Sequence, residues 1–238
     1  MKRFSNTYIF IFSSIMVIMV AAILSTAAMI LQPIQKRNIE VEKKKNILAS
    51  IGIESDRSNA VDFYDKYISN SYVVNTKGDV MDEIVAFDVE MKKEIRKPVE
   101  ERALPVFVGK LEDGEEKFVV PVEGKGLWGP IYGYVALSDD LTSIFGTNFD
   151  HDGETPGLGA EINTDWFQEQ FIGKKIFDEA GNFISIDVVK GKADPESLNE
   201  VDAISGGTIT SNGLEAMLFD CLSCYETYFK NQKITQDE

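Results

Sequence analysis

From Phe4 to Gln35 the chain carries no charged residue, an unbroken stretch of 32 positions. Within it Tyr8–Leu31 is dominated by Ile, Val, Met, Ala, Phe and Leu. As a helix, those 24 residues reach about 36 Å at ~1.5 Å per residue. A hydrocarbon core is ~30 Å thick, so the segment spans a bilayer with some tilt. Ser13, Ser14, Ser25 and Thr26 do not prevent this, because their hydroxyls can bond back to the helix backbone. A cleaved leader is the competing reading: Lys2 and Arg3 would be its basic start and Ser25-Thr26-Ala27 its cleavage site. The apolar run exceeds the ~7–15 residues of such leaders. Residues 1–33 are therefore expected to form a membrane anchor helix embedded in lipid, with Pro33 ending the span.

Beyond the anchor the chain is acidic. Residues after the span hold 22 of the 24 Lys+Arg and all 39 Asp+Glu. A net charge of -15 for the whole chain argues against nucleic-acid binding, which needs a basic surface. Acidity of this kind keeps a domain soluble. A single His excludes zinc sites built on two imidazoles, and two Cys are too few for an iron–sulfur cluster. A Ser-His-Asp triad would have to run through His151 alone.

Periodicity divides the rest. Ile34–Ser50 reads as a polar helix continuing the anchor, and Ala60–Ile68 as a short amphipathic helix. Strand-like runs come next at Tyr72–Asn75, Ile84–Val89 and Val106–Gly109. Asp113-Gly114 is a hairpin turn signal with Phe118–Val122 as the return strand, and Ile131–Leu137 is another strand. Asn163-Thr164-Asp165 marks a helix start before Trp166–Phe171. Ala180-Gly181-Asn182 turns into an alternating run, Phe183–Val189. A last helix is expected from Asn212, which has capping-box spacing to Glu215. The pattern predicts an α+β fold with a largely antiparallel sheet. The expected division is 1–33 anchor, 34–100 membrane-proximal α/β region, and 101–238 cofactor domain.

Three segments stand out. Lys125-Gly126-Leu127-Trp128-Gly129-Pro130 sets an aromatic between glycines just before a strand. Glu154-Thr155-Pro156-Gly157-Leu158-Gly159 leaves backbone N–H groups unshielded and fixes its approach with Pro156. Asp202–Ser211 is a Gly-rich loop leading into a helix N-terminus, where unpaired N–H groups and the helix dipole favour an anion. It is neither a P-loop nor a dinucleotide fingerprint. Each segment alone is also what an ordinary turn looks like.

Together they carry a resemblance. Asp202-x-x-Ser205-Gly206-Gly207-Thr208 resembles the flavinylation signature Asp-x-x-(Ser/Thr)-Gly-(Ala/Gly)-Thr. With the single span, the other two segments and Gly-Lys-Lys at 173–175, the whole chain resembles the C-subunit family of sodium-translocating NADH:quinone oxidoreductases. Gly207 departs from the commoner Ala. The resemblance implies FMN attached covalently to Thr208 through its phosphate by a separate flavin transferase. It implies a flavin site formed by Ser205, Gly206, Gly207, Thr210, Leu127, Trp128, Gly129, Glu154, Thr155, Gly157, Leu158 and Gly159. It implies other subunits of a membrane complex as partners. NADH would be oxidised elsewhere, and electrons would pass through this subunit toward quinone. No residue is assignable to sodium. The G subunit of Rnf-type ferredoxin–NAD oxidoreductases shares the flavinylation loop and Glu-Thr-Pro-Gly-Leu-Gly. The Gly-Leu-Trp-Gly-Pro segment and the long region before residue 100 favour the quinone reductase. A cofactor-free, membrane-tethered interaction module is the reading from another class.

Orientation is contested. Lys36, Arg37, Lys43, Lys44 and Lys45 outnumber Lys2 and Arg3, which by the positive-inside rule puts the C-terminal side in the cytoplasm. The resemblance instead implies a bacterial inner membrane protein with its soluble domain on the periplasmic side. Cys221-x-x-Cys224 falls mid-helix on an apolar stripe, so it is expected to pack rather than to act as a thioredoxin-like pair.

Overall fold

The computed structural model describes residues 5–236, so Lys2 and Arg3 lie outside the described residues. The chain forms two compact units, 1–43 and 44–238. Helix α1 (Asn6–Ser50) begins where the Ser5 hydroxyl accepts the Tyr8 N–H at 3.2 Å. Its apolar stretch is exposed along its whole length, as a lipid-facing helix requires. The Thr26 hydroxyl donates to the Ala22 carbonyl at 2.8 Å, hiding its polarity. The helix runs on through Pro33, which lacks only the N–H bond back one turn.

The second unit is built on a five-stranded antiparallel sheet in sequential order: β1 (Ile68–Val74), β2 (Leu104–Lys110), β3 (Glu116–Lys125), β4 (Pro130–Leu137) and β5 (Ile144–His151). Helix α2 (Ala60–Tyr67) leads into β1, and the short α3 (Met91–Glu94) lies between β1 and β2. The sheet crosses residue 100, because β1 pairs with β2 through Val74↔Leu104 and Tyr72↔Val106. After β5 come a short helix α4 (Asp165–Gln168) and a two-stranded parallel pair, β6 (Asp187–Val189) and β7 (Glu200–Asp202). Helices α5 (Thr208–Leu222) and α6 (Glu226–Gln236) close the chain. The fold is α+β.

The central strands are covered on both faces, which is why they read as nearly continuous apolar runs. Val106, Val120, Val122 and Val135 face Leu214, Met217, Leu218 and Tyr225. Phe107, Val119 and Tyr134 face the other way, against Ile47, Leu48 and Ile51 at the end of α1. Glycines set how closely α5 lies across β3. A Cβ on Gly124 would stand 2.6 Å from Met217 Cβ, and one on Gly213 would strike the Lys125 carbonyl. The helix start is thereby pressed against the β3–β4 hairpin. Tyr225 anchors the far end, its hydroxyl donating to the Pro105 carbonyl at 3.0 Å.

Four expectations need correction. Ile84–Val89 is not a strand: Ala86 and Val89 are the buried positions, a spacing of three rather than two, and Ala86–Asp88 is a 3-10 turn. Strand β5 is absent from the expected elements, because polar Thr147, Asn148 and Asp150 dilute its alternation. Phe183–Val189 is strand only from Asp187, since Ser185 sits at φ 57° and breaks the extension. Helix α5 starts at Thr208, one turn before Asn212. Glu215 makes no capping box; its carboxylate accepts the Val188 N–H at 2.8 Å and ties β6 to the helix.

Cys221 and Cys224 are free and buried. Cys221 exchanges hydrogen bonds with the Glu123 backbone, and burial pushes its thiol up to about 12, the opposite of a reactive thiolate. Replacing both with Ala should cost on the order of 1–2 kcal/mol in urea unfolding. Cofactor attachment should be untouched; its loss in a folded double variant would contradict a packing role.

Candidate functional site

Three loops meet at the start of α5: the β3–β4 hairpin, the loop after β5, and the turn from β7 into the helix. Glu154 joins them. Its side chain is buried. One carboxylate oxygen accepts the Trp128 N–H at 2.8 Å, and the other accepts the Thr210 hydroxyl at 2.6 Å. Its own N–H donates to His151 Nδ1 at 3.2 Å. Burial alone would raise the Glu154 carboxyl, but the Thr210 hydroxyl and the Trp128 and Gly129 amides outweigh it and hold it below the usual range.

The turn into α5 is equally fixed. The Gly207 N–H bonds the Ile204 carbonyl, and the Ser211 hydroxyl accepts the Ile204 N–H at 3.1 Å. Gly206 has φ 75°, which favours glycine, and a Cβ there would stand 2.6 Å from Leu158 Cδ2 and push that side chain aside. A Cβ on Gly159 would strike both Thr210 Oγ1 and the Glu154 carboxylate.

These residues enclose a cavity of about 240 Å³. Leu127, Glu154, Thr155, Leu158 and Gly159 line one side; Gly206, Gly207, Thr208 and Thr210 line the other. Ile209 also lines it and escapes the sequence reading, since nothing in its neighbours marks an apolar residue in a helix's first turn as a site residue. Four expected residues lie off this wall. The Trp128 ring is 70% exposed, and the residue enters the site only through its backbone bond to Glu154. Gly129 faces a different cleft. Gly157 shapes a turn at φ 75° and donates its N–H to Glu161. Ser205 is exposed in the turn before Gly206.

The hydroxyls differ sharply. Thr208 is exposed, whereas Thr210 and Ser211 are 1% and 0% exposed. Thr208 is the first residue of α5 rather than a loop residue. The helix N–H groups without an intrahelical acceptor are accordingly those of Thr208, Ile209 and Thr210, one turn earlier than a helix beginning at Asn212 would offer.

Residues 126–223 match the model of the FMN-binding domain family, from the hairpin tip to the end of α5. The C subunit of the Na(+)-translocating NADH-quinone reductase of Vibrio vulnificus is 34% identical over 209 residues, covering 81% of each chain. The crystal structure of the same subunit from Parabacteroides distasonis is 41% identical with a TM-score of 0.77, covering 84% of this chain and 96% of its own. That from Shewanella oneidensis is 27% identical with a TM-score of 0.71, covering 84% and 99%. The chain belongs to the C-subunit family of Na(+)-translocating NADH-quinone reductases. In this family member, the glycine-lined wall, apolar Leu127 and Leu158, and the α5 N-terminus fit the parts of FMN: a flat ring, amide-like edges and a phosphate tail. At about 240 Å³ the cavity is below the ~300–1,000 Å³ of sites that engulf a ligand, so FMN would be held by part of its surface.

Glu154→Ala should leave the Trp128 amide and Thr210 hydroxyl unpaired and cost about 2–3 kcal/mol in urea unfolding. Glu154→Gln should cost less, because the Thr210 hydroxyl can rotate to accept from the amide. The folded carboxyl is held low, so its stabilisation is complete above the ordinary glutamate range and is lost as pH falls through the lowered value. Acid unfolding of Glu154→Gln should therefore be shallower than that of the parent; identical acid profiles would contradict this.

Proposed function

We propose that the chain is the electron-carrying flavoprotein subunit of a sodium-pumping NADH:quinone oxidoreductase, with FMN joined by a phosphoester bond to Thr208. The supporting observation is the contrast among the motif's hydroxyls. A transferase must draw the acceptor into its own active site, and of Thr208, Thr210 and Ser211 the first alone is exposed. The other two are engaged with Glu154 and the Ile204 N–H.

In the attachment Thr208 Oγ would lose its proton and bond to the phosphorus of an activated flavin nucleotide supplied to the transferase, as the bond from that phosphorus to the donor's leaving group breaks and that group departs with the electron pair. The chain would gain the mass of FMN less one water. The remaining phosphodiester charge would sit beside the N–H groups at the start of α5, where the helix dipole favours an anion. Leu127 and Leu158 would cover apolar ring surface, and the backbone around Thr155 and Gly159 would meet its polar edge. FMN supplies the electron transfer; the chain positions it and sets its electrostatic surroundings. The other subunits of the complex would bring electrons in and take them on toward quinone, and α1 would hold the protein in lipid.

Thr208→Val keeps the shape and removes the nucleophile. It should abolish flavin fluorescence in a denaturing gel while the protein still accumulates in the membrane. Gly207→Val should reduce attachment as well, since a Cβ there already stands 2.9 Å from Ile204 Cγ2. Covalent flavin mapped by peptide mass to Thr210 or Ser211 would overturn the assignment.

The soluble unit is placed on the periplasmic side, where the family's transferase is expected to act. The basic residues after the span argue otherwise, but that rule weakens for long translocated domains. A cysteine at exposed Glu196 should react with an impermeant reagent in intact cells. Labelling only after lysis would reverse the placement.

A further inference from the structure

Outside the flavin wall, a cleft of about 520 Å³ is lined by the base of the β3–β4 hairpin and by α5. Its volume is more than twice that of the cavity at Thr208 and lies within the ~300–1,000 Å³ usual for binding sites. Its charge is inverted relative to the rest of the molecule. Lys92, Arg96, Arg102 and Lys125 line it, against Glu123 and Asp220, in a chain where acidic residues outnumber basic ones 39 to 24. Arg102 is rigidly set: its guanidinium donates to the Lys97 and Ile95 carbonyls and to Cys224 Sγ. Lys92, Arg96 and Lys125 are exposed and make no hydrogen bond or close ion pair with a side chain among the described residues, although Lys92 and Arg96 act electrostatically on the Glu123 carboxylate of the same cleft. Pro130, Ala216 and Met217 give the cleft an apolar floor. None of this is used by the flavin site.

We propose that this cleft receives an acidic segment of a neighbouring subunit, whose carboxylates pair with Lys92, Arg96 and Lys125. The proposal rests on the reading that the chain works inside a multisubunit oxidoreductase. Charge complementarity chooses the anion, and the field of the whole domain chooses its source. A net charge of -15 repels free small anions and lowers their local concentration. A segment tethered within an assembly meets the cleft at a high effective concentration whatever the surrounding field. The position gives the contact a consequence. Lys125, Gly129 and Pro130 on the cleft wall belong to the same hairpin that carries Leu127 and Trp128, so an occupied cleft braces the hairpin from behind.

The test uses full-length chain co-expressed with the other subunits, and the triple variant K92E/R96E/K125E. The complex is captured through a tag on another subunit and washed at rising salt. Gel fluorescence of covalent flavin should match the parent. Retention of the variant should fall on the order of ten-fold at salt where the parent stays, as expected for three partly exposed ion pairs. K92Q/R96Q/K125Q should give a smaller loss, and it serves if the reversal variant fails to accumulate. In a second arm, hexaglutamate should bind the detergent-solubilised parent at low salt, more weakly to the variant, and inorganic phosphate should not compete. Retention equal to the parent at every salt concentration would overturn the proposal. So would phosphate competing as well as hexaglutamate, which would make this a free-anion site. Loss of flavin with retention unchanged would overturn it too, assigning the cleft to maturation. A parent chain without gel fluorescence would sink the flavin assignment and leave the retention comparison standing.

Discussion

One buried carboxylate holds the site together. Glu154 is tied to the hairpin through Trp128, to its own strand end through His151, and to α5 through Thr210. These three loops are far apart in sequence, and loops rarely hold a shape unaided. A neutral residue would offer weaker bonds. A charged acceptor strengthens the two bonds the carboxylate receives, from the Trp128 N–H and the Thr210 hydroxyl, and burial removes the competition from water. The close fit at Gly126 and Gly159 stems from the same centre, since a Cβ at either position would crowd the carboxylate. The cavity wall is therefore defined around an anion that is part of the protein.

The sheet supplies the rigidity on which this depends. Strand β3 is buried on both faces, by α5 and by the end of α1. Gly124 and Gly213 let α5 settle against the strand's last residues, which fixes the helix start relative to the hairpin. The functional parts all lie at one end of this layer, on turns whose geometry is set by glycine, while the apolar contacts that stabilise it lie along its middle. Substitutions at the site should therefore alter cofactor handling without dissolving the fold, except at Glu154, where both depend on one group.

The anchor, the main strands and the three loops are legible in the sequence because each has a local signature: charge absence, apolar runs, glycine with a distinctive neighbour. What escapes is set by tertiary contact. Strand β5 carries Thr147 at a buried position, in phase with Phe149, that alternation would give to an apolar residue, yet its pairing with β4 along Ile131–Leu137 makes it a strand. Spacing puts the start of α5 a turn late because Asn212 and Glu215 mimic a capping box. The true start has Gly207 before it, with Ser211 turned inward to the Ile204 N–H. This shift bears on the acceptor. The glycine pair before Thr208 suggests a pliable loop, and the structure replaces pliability with exposure. The resemblance makes Glu154 part of a flavin site, and in the structure it lines the cavity while its carboxylate also holds the Trp128 amide and the Thr210 hydroxyl. Hydrogen bonds between segments leave no trace in the spacing of a single chain.

A small, partly open cavity would be a poor receptor for a freely exchanging cofactor. Were the phosphate end joined to Thr208 as proposed, affinity would not have to come from enclosure, because a tethered ring is always present at high effective concentration. The wall of about 240 Å³ then needs only to orient one part of the ring, leaving the rest exposed. For an electron carrier that exposure is useful, since the open surface is where a partner's redox centre can approach. Attachment through the tail would also leave the redox-active ring chemically unaltered. The depressed Glu154 carboxyl stays ionised at neutral pH, so any ring on this wall stands beside a fixed negative charge. Such a charge disfavours the added electrons, and lowers the potential relative to a neutral wall. The group that shapes the site thus also biases its chemistry, which is a reason for a carboxylate there rather than an amide of the same shape.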